Sequence, residues 1–276
     1  MSDEHTAAPL LRDKVALVTG AAGAIGCGVC EVLLENGCRV TAGDLAGARL
    51  DEFVRDFEAR APGRMHGAAM DVTDAASVAA GFQAVLARWG RLDFVVHNAG
   101  VALVSKLVDL DLEAFRRLER VNVEGTLLVL AEAGRVLARQ GRGGDIVLMS
   151  TKNVPSPSAG FGAYSATKAA SHQLGRIASL EFAPHDIRVN MVAPDAVFAE
   201  GRYKSGLWQE VGAERMKARG LDEQGLHAYY RDRNLLKAAV TGRHVGNAVL
   251  FLVSRQTPTT GATLPVDGGL PDATPR

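Results

Sequence analysis

A tyrosine and a lysine in the second half of the chain have the types and the spacing of an acid/base pair. Tyr164 and Lys168 lie in residues 162–182, where small and apolar residues at helical spacing predict a helix. Side chains four positions apart share one helical face, and a neighbouring ammonium lowers the pKa of a tyrosine from about 10. Such a tyrosine could exchange a proton with a substrate hydroxyl or carbonyl. The same spacing arises by chance on many helices, so its interpretation depends on the rest of the chain.

Two adjacent hydroxyl side chains precede this helix. Residues 146–149 predict a short buried strand, and Ser150 and Thr151 follow at its carboxyl end. Ligands of open α/β sheets bind at that end of the strands. Either hydroxyl can donate and accept a hydrogen bond, so the sequence leaves open which of the two assists Tyr164.

The first part of the chain has the pattern of a dinucleotide-binding unit. An apolar run at residues 15–18 leads into a glycine-rich turn and then into apolar residues at helical spacing. Glycines let the backbone approach a pyrophosphate, and the N-terminus of the following helix stabilises its charge. The turn contains Gly20, Gly23, Ile25 and Gly26.

An acidic residue closes the next predicted strand, residues 39–43. A carboxylate at Asp44 can bind both ribose hydroxyls of NAD and would repel the 2′-phosphate of NADP. We therefore expect NAD as the cofactor. The same position also suits an N-cap for the helix predicted at residues 48–60.

Strands and helices alternate along the chain without repeats or low-complexity linkers. This alternation predicts an α/β fold, a single doubly wound parallel sheet of the Rossmann type with about seven strands and helices on both faces. Asn122 falls inside the helical stretch 109–140, where asparagine competes for backbone hydrogen bonds, so we expect it to have a role. We expect one domain over residues 14–276 after a flexible tail of residues 1–13. The later strands are predicted at residues 65–70, 92–96, 187–192 and 263–266.

Composition and charge narrow the classes of function. The chain has 276 residues, 47% of them hydrophobic, which is enough for one large core. Lys and Arg together number 31, as do Asp and Glu, so the charge indicates neither nucleic acid nor a membrane surface. The chain shows neither a membrane-spanning apolar run nor a signal-peptide core, and we expect a cytoplasmic protein. Cys27 and Cys30 form a CxxC, but no second ligand pair follows, so buried free thiols and no metal site are expected.

Taken in order, these residues resemble the short-chain dehydrogenase/reductase family over the chain after Asp13. Each matching segment is common by itself, whereas all of them in this order are specific. The segments are Thr19-Gly20 with Ile25-Gly26, Asp71-Val72, Asn98-Ala99-Gly100, Asn122-Val123, Ser150-Thr151, Tyr164 with Lys168, and Pro194.

The resemblance implies an NAD-dependent oxidoreductase that transfers a hydride, and a homotetramer or homodimer. It assigns Tyr164 as the acid/base, Lys168 to the nicotinamide ribose and to the pKa of the tyrosine, and Asn122 to a proton-passing water. The remaining implied cofactor contacts are Asp71 and Val72 to adenine, Asn98, Ala99 and Gly100 to the adenosine ribose side, and Pro194 and Val197 to the carboxamide.

Three positions depart from the family pattern. Thr151 stands where the catalytic serine usually lies, and Asp195 follows Pro194 where glycine is usual. Ala24 stands where the turn usually has glycine, and the resulting glycine spacing also fits the sugar-nucleotide-modifying branch of the superfamily. That branch usually has longer chains and a different segment at residues 98–100.

Several segments are similar to the dehydrogenase half of bifunctional rhamnulose-1-phosphate aldolase/lactaldehyde dehydrogenases and, more faintly, to sorbitol-6-phosphate dehydrogenases. This resemblance implies a sugar, a polyol or a lactaldehyde-like substrate, with Lys152, Asn153 and Asp195 as candidate contacts and Lys152 as the candidate for an anionic group. Lys152 and Asp195 could instead pair with each other. The segments are residues 151–153, 160–164, 194–198, 227–230 and 235–237.

The stretch 198–234 is expected, by position and by family, to form a lid over the substrate. It is polar-tipped and aromatic, although most of its side chains are individually expected at the surface or between subunits. Two other functions stay open: a short-chain reductase of another class, acting on acyl or cyclic ketone substrates, and a non-catalytic NAD sensor. A sensor would be expected to have lost Tyr164 or Lys168. The stretch carries Arg202, Tyr203, Lys204, Trp208, Tyr229, Tyr230 and Arg231.

Overall fold

The computed structural model describes residues 9–199 and 201–271, and a parallel seven-stranded sheet runs through the middle of them. The strand order is β3-β2-β1-β4-β5-β6-β7, so the order reverses between β1 and β4. In open α/β sheets this reversal opens a crevice at the carboxyl ends of the strands. The strands are β1 (Val15–Thr19), β2 (Arg39–Asp44), β3 (Met65–Ala69), β4 (Phe94–His97), β5 (Gly144–Met149), β6 (Ile187–Pro194) and β7 (Thr263–Val266).

Helices cover both faces of the sheet, as the fold class predicted. Side chains alternate along β1, so that Ala16 and Val18 pack with one set of helices while Val15 and Leu17 pack with the other. One face carries α1 (Ala24–Glu35), α2 (Ala48–Arg60) and α9 (Gly242–Val253), and the other carries α3 (Ala75–Trp89), α5 (Gly125–Gln140) and α6 (Gly162–Glu181).

The helical stretch containing Asn122 differs from a pair of ordinary α-helices. After α4 (Leu112–Leu118), residues Glu119–Glu124 form a turn of π-helix that leads directly into α5. A π-turn inserts an extra residue into the helical repeat and often lies at a functional site. Asn122 occupies this turn and is buried.

The predicted tail of residues 1–13 is too long at its C-terminal end. Leu11 is 2% exposed and belongs to the core beside α1, and its backbone N–H donates to the oxygen of Asn36. The side chain of Asp13 also pairs with Arg39 on β2. Burial of this aliphatic side chain, the backbone hydrogen bond and the ion pair together anchor the segment. The rest of the predicted tail, residues 1–8, lies outside the described residues.

A helical insertion separates β6 from α9. Its two helices are α7 (Gly206–Arg219) and α8 (Glu223–Asp232). Ser205 caps α7 through its hydroxyl, and Asp222 caps α8 by accepting from the N–H of Gly225 at 2.7 Å. Phe198, Trp208 and Tyr230 pack together beneath these helices. This packing gives the insertion an aromatic core of its own.

The structure also tests two further expectations, that the cysteines are buried free thiols and that the chain has no membrane-spanning helix. Cys30 and Cys38 are buried free thiols, as predicted, and Cys27 is half-buried. Burial raises the pKa of the Cys27 thiol to about 12. Of the helices in the described part of the chain, none has the length and apolar character to cross a bilayer.

Candidate active site

A cleft of about 400 Å³ runs along the carboxyl ends of β1, β4, β5 and β6 and under the insertion. Most of the residues singled out from the sequence line it, although they come from separate parts of the chain. Gly26, Asp71, Val72 and Asn122 are not in its lining. The predicted residues that line it are Gly20, Gly23, Ile25, Asp44, Asn98, Ala99, Gly100, Thr151, Lys152, Asn153, Tyr164, Lys168, Pro194, Asp195 and Val197.

The glycine turn at the end of β1 is packed too tightly for side chains. Gly20 has a φ of +62°, and a Cβ there would lie 2.8 Å from the Cα of Ala99. A Cβ on Gly26 would lie 2.3 Å from the oxygen of Gly20, so Gly26 shapes the turn from behind without lining the cleft. Asn98 donates from its side-chain amide to the oxygen of Gly20 at 2.8 Å. The turn therefore leaves open space on its cleft side that a pyrophosphate fits.

Asp44 is held at one end of the cleft by two backbone amides. Its carboxylate accepts from the N–H of Ala22 and from that of Leu45, each at 2.9 Å. Both oxygens keep lone pairs for further donors, as two ribose hydroxyls would require. Arg49 lies in the same part of the cleft and donates from Nη2 to the oxygen of Ala22 at 2.8 Å. The sequence does not predict that Arg49 lies in the cleft, because no motif links Arg49 to Asp44.

The predicted adenine contacts lie beside this end of the cleft. Val72 is buried against the start of α5, because a Cβ on Gly125 would meet its side chain at 2.9 Å. Asp71 is exposed, and its carboxylate accepts from the N–H and the hydroxyl of Thr73. Their contact with adenine stays a prediction.

A buried histidine joins the loop after β4 to the π-turn. Thr19 Oγ1 accepts from the N–H groups of Asn98 and Ala99, each at 3.1 Å, so its own proton points to His97 Nδ1 at 2.9 Å. His97 Nε2 then donates to Thr126 Oγ1, which donates to the oxygen of Asn122 at 2.6 Å. Burial lowers the pKa of His97 to about 3, so the ring is neutral and keeps this direction of bonding.

Asn122 supports the cleft wall through its side chain. Its Oδ1 accepts from the N–H of Val101 at 3.0 Å, while its Nδ2 donates to the oxygen of Val101 and to Thr167 Oγ1. A Cβ on Gly100 would lie 3.2 Å from both Asn122 Oδ1 and Lys168 Nζ. Asn122 thus fixes the loop over α6, and its part in passing protons through a water stays a prediction.

Tyr164 and Lys168 are both buried on the cleft side of α6. Burial raises the pKa of Tyr164 to about 12, while a hydrogen bond with Thr151 acts in the opposite direction. Lys168 Nζ donates to the oxygen of Met149 at 2.9 Å, and burial lowers the pKa of Lys168 to about 8. In the chain without a cofactor, loss of solvent thus outweighs the effect of Thr151 on the pKa of Tyr164, and the lowering of that pKa by Lys168 stays a prediction.

The two hydroxyls after β5 have different surroundings. Thr151 lies close enough to the phenol of Tyr164 to lower its pKa, and its Oγ1 accepts from the N–H of Asn153 at 3.2 Å. The hydroxyl of Ser150 is buried and, among the described residues, has no hydrogen-bond partner. Since Ser150 also lines the cleft, its hydroxyl is free to bond a cofactor or a water.

The predicted substrate contacts meet at the other end of the cleft. Lys152 Nζ donates to Ser158 Oγ at 2.7 Å and to the oxygen of Ser156 at 3.2 Å. Asn153 Oδ1 accepts from the hydroxyl of Ser158 at 3.3 Å.

Asp195 is already paired at this end. Its carboxylate accepts two hydrogen bonds from the guanidinium of Arg233, so its main partner is this arginine and not Lys152. Arg233 and Arg215 also line the cleft. No local motif marks them, and only the packing of the insertion brings them there.

Of the insertion residues named from the sequence, only some line the cleft. Trp208 and Tyr230 line the cleft. Arg202 instead pairs with Glu52 and Asp56 on the outer side of α2, and Tyr203 bonds the same Asp56. The insertion therefore contacts α2 with its first residues and covers the cleft with α7 and α8.

Comparisons with known proteins agree with this architecture. A family model described as enoyl-(acyl carrier protein) reductase matches residues 20–271. Human L-xylulose reductase is 33% identical over 260 residues, which cover 94% of this chain and 97% of that protein. Sorbitol-6-phosphate 2-dehydrogenase from Erwinia amylovora has a solved structure that matches with a TM-score of 0.84 at 28% identity, covering 92% of this chain and 98% of that one.

A further relative is much longer than this chain. An uncharacterized oxidoreductase of Bacillus subtilis (strain 168) is 33% identical over 262 residues, which are 94% of this chain. The chain spans only 38% of the length of that relative.

The fold and the cleft define an oxidoreductase of the class that uses a nicotinamide dinucleotide. The chain belongs to the short-chain dehydrogenase/reductase family, which confirms the family expected from its motifs. The glycine turn, the anchored carboxylate of Asp44 and the unpartnered hydroxyl of Ser150 fit such a cofactor along the cleft.

The contact between Thr151 and Tyr164 gives a test of the two hydroxyls. Thr151→Ala should lower turnover by about 100-fold, the scale for losing one hydrogen-bond donor at a reacting oxygen. Thr151→Ser keeps the hydroxyl and should remain active. The measurement is the initial rate, followed by the absorbance of the reduced nicotinamide, with Ser150→Ala as the matched variant. Greater damage from Ser150→Ala than from Thr151→Ala would exchange the two assignments.

Proposed function

We propose that this protein interconverts a hydroxyl and a carbonyl on a small polar substrate, a sugar, a polyol or a lactaldehyde-like hydroxyaldehyde, with NAD as cofactor. The observation that carries the proposal is that Tyr164, Thr151 and Lys168 line the same cleft, with Thr151 lowering the pKa of the phenol of Tyr164. Hydride transfer is the chemistry that a bound nicotinamide supplies. The chain's own task is to orient the reacting groups and to move one proton.

Each residue near the tyrosine has a distinct part in that task. Tyr164 gives its proton to a carbonyl oxygen in reduction and takes one from a hydroxyl in oxidation. Thr151 hydrogen-bonds the same oxygen and holds it beside the tyrosine. Lys168 places a positive charge next to the cleft wall at Gly100, where it stabilises negative charge that develops nearby.

The polarity of the cleft supports a small hydroxylated substrate. The end beyond Tyr164 is lined by Lys152, Asn153, Asp195 and Arg233, which keep further donors and acceptors besides the bonds they make with one another and with Ser156 and Ser158. Leaving a buried polar group without a partner costs about 1–3 kcal/mol, so a steroid or a fatty acyl chain would bind poorly there. The names of the human and Erwinia relatives point to sugars and sugar phosphates in the same way. The narrower assignment to a lactaldehyde dehydrogenase rests on the segments described above.

A substrate panel tests this proposal. Purified protein is assayed at the NADH absorbance band against short sugars, polyols, hydroxyaldehydes, cyclic ketones and acyl thioesters. Fastest turnover of a small polyhydroxylated compound supports the proposal. Best activity on acyl or cyclic ketone substrates would favour the alternative class, and cofactor binding without any turnover would favour a sensor.

The carboxylate of Asp44 supports NAD over NADP. A phosphate placed against an anchored carboxylate costs several kcal/mol, so efficiency with NAD should exceed that with NADP on the order of 100-fold. Asp44→Ala should reduce this ratio by relieving the repulsion. The measurement is kcat/KM with each cofactor.

Arg49 provides the matched control for this experiment. It lies in the same part of the cleft with the opposite charge, so Arg49→Gln should leave NAD preferred or increase the preference. Equal efficiency of the wild type with both cofactors would contradict the assignment of Asp44.

We also infer a homotetramer or homodimer, the assembly usual in this family. Large apolar side chains are exposed on three helices of one face, Leu112 on α4, Leu127 on α5, and Ile177 and Leu180 on α6. Burial of this surface between subunits would remove it from water. Light scattering measures the assembly directly. The cytoplasmic location stays a prediction.

A further inference from the structure

A buried arginine of the insertion has no carboxylate partner among the described residues. Arg215 on α7 is 4% exposed and lines the cleft. Its Nε and Nη2 both donate to the hydroxyl of Tyr230, at 3.2 and 3.1 Å, and its guanidinium lies over the ring of Phe161 at 4.8 Å. A guanidinium carries five N–H donors, and here a single neutral oxygen accepts two of them.

The surroundings of Arg215 add further positive charge. Lys152 is buried at the same end of the cleft, and among the described residues it bonds only uncharged oxygens, those of Ser156 and Ser158. Arg233 is neutralised by Asp195, its bidentate partner. Lys152 and Arg215 are therefore the two cations of this end that form no ion pair in the described part of the chain, and Lys152 shares the field of Asp195 with Arg233.

Packing alone accounts poorly for this arrangement. Tyr230 and Phe161 could hold α7 in place by contacts with an apolar side chain, without the cost of desolvating a charge. Burying an unpaired charge costs several kcal/mol in proteins. An anion bound between the two cations would offset that cost, and its binding would be strong for the same reason.

We propose that Arg215 and Lys152 form a subsite for an anionic group, a phosphate monoester or a carboxylate, carried by the carbon chain of the substrate. This inference rests on the proposed function, since it places the anion on the compound that Tyr164 oxidises or reduces. Arg215 supplies a fork of N–H donors that matches two oxygens of the anion, and Lys152 supplies a point charge. The ring of Phe161 lies 5.9 Å from that of Tyr164 and 4.8 Å from the guanidinium of Arg215, and this short span favours a substrate of a few carbons over a long chain.

The test compares each neutral substrate with an anionic counterpart of the same carbon chain. Sorbitol is paired with sorbitol 6-phosphate, glycerol with glycerol 3-phosphate, and propane-1,2-diol with lactate. In at least one pair, the wild type should have a higher kcat/KM for the anionic compound than for the neutral one. A preference within a phosphate pair identifies a phosphate subsite, and a preference within the lactate pair identifies a carboxylate subsite. Arg215→Gln should lower the ratio of anionic to neutral efficiency by about 10- to 100-fold, through KM more than through kcat.

A second arginine of α7 provides the matched control. Arg219 lies one turn further along, donates to the hydroxyl of Tyr229 at 3.3 Å and stacks on its ring, but it does not line the cleft. Arg219→Gln should keep the wild-type ratio. Lys152→Ala should also lower the ratio, and Arg215→Lys should lower it less than Arg215→Gln does. An unchanged ratio in Arg215→Gln, or a wild type that does not distinguish the members of any pair, would overturn the subsite.

A binding measurement separates this subsite from the proposed function. Trp208 lines the same cleft and stacks on Phe198, so its fluorescence reports on the region. Inorganic phosphate and acetate are titrated separately with NAD present at saturation, so that the glycine turn is filled. Saturable quenching by either anion in the wild type and in Arg219→Gln, but not in Arg215→Gln, supports the subsite even if no compound of the panel turns over. Equal titrations in all three proteins would overturn it, whatever the enzyme oxidises.

Discussion

Replacing Tyr164 with phenylalanine should lower turnover by at least about 100-fold, the usual scale for an acid/base group. The variant keeps the ring that packs against Phe161 and removes only the oxygen that Thr151 bonds. Affinity for NAD should change little, because the glycine turn and Asp44 at the other end of the cleft are untouched. The measurements are kcat under saturating conditions and the Kd of NAD by calorimetry.

The pH dependence of oxidation gives a second readout of the same residue. Oxidation needs the phenolate, and burial raises the pKa of Tyr164 to about 12 in the chain alone, so the reactive form is scarce at neutral pH. The rate of alcohol oxidation by the wild type should therefore rise as the pH is raised from 7. The residual rate of Tyr164→Phe should lack this rise. A phenylalanine variant with a near-normal rate and an unchanged pH profile would remove Tyr164 from the chemistry.

The fold was predictable because its determinants are local. Short apolar runs mark buried parallel strands, and the glycine turn after β1 needs backbone that side chains would block. The predicted helix at residues 48–60 and the predicted strand at residues 263–266 have the bounds of α2 and β7. The carboxyl ends of parallel strands lie at one edge, so the positions of Asp44 and Thr151 in one cleft followed from their places at the ends of predicted parallel strands.

The substrate end was less predictable because its contacts are long-range. Arg215 and Phe161 come from separate elements, and the sequence of α7 shows no sign that one of its arginines is buried. The pairing of Asp195 with Arg233 was missed for the same reason, and Lys152 was the partner considered instead. The π-turn at Asn122 depends on contacts with Val101 and with α6 that a helical pattern does not reveal.

Replacing Lys168 with methionine should inactivate the enzyme and stabilise the fold. Methionine retains the apolar stem and lacks the charge, so turnover should fall by about 100-fold and NAD affinity should weaken as well.

The stability effect follows from the buried ammonium. Burial lowers the pKa of Lys168 from 10.5 to about 8, so the unfolded chain binds its proton more tightly than the folded one. This difference costs the wild type about 3 kcal/mol at pH 7, and loss of the hydrogen bond to Met149 offsets about 1 kcal/mol of the gain in the variant.

Unfolding in urea at several pH values tests the predicted gain in stability. At pH 7 the free energy of unfolding of Lys168→Met should exceed that of the wild type by about 2 kcal/mol. Because the wild-type penalty is present below pH 8 and is relieved as the lysine loses its proton, the advantage of the variant should shrink between pH 8 and pH 10.5. Thr167→Val, a change of the neighbouring buried residue that involves no charge, should show no such pH dependence. Two results would contradict this prediction: a methionine variant that is less stable than the wild type at pH 7, or a difference in unfolding free energy that is the same at every pH. Either would show that contacts in the folded chain offset the cost of burying the ammonium of Lys168.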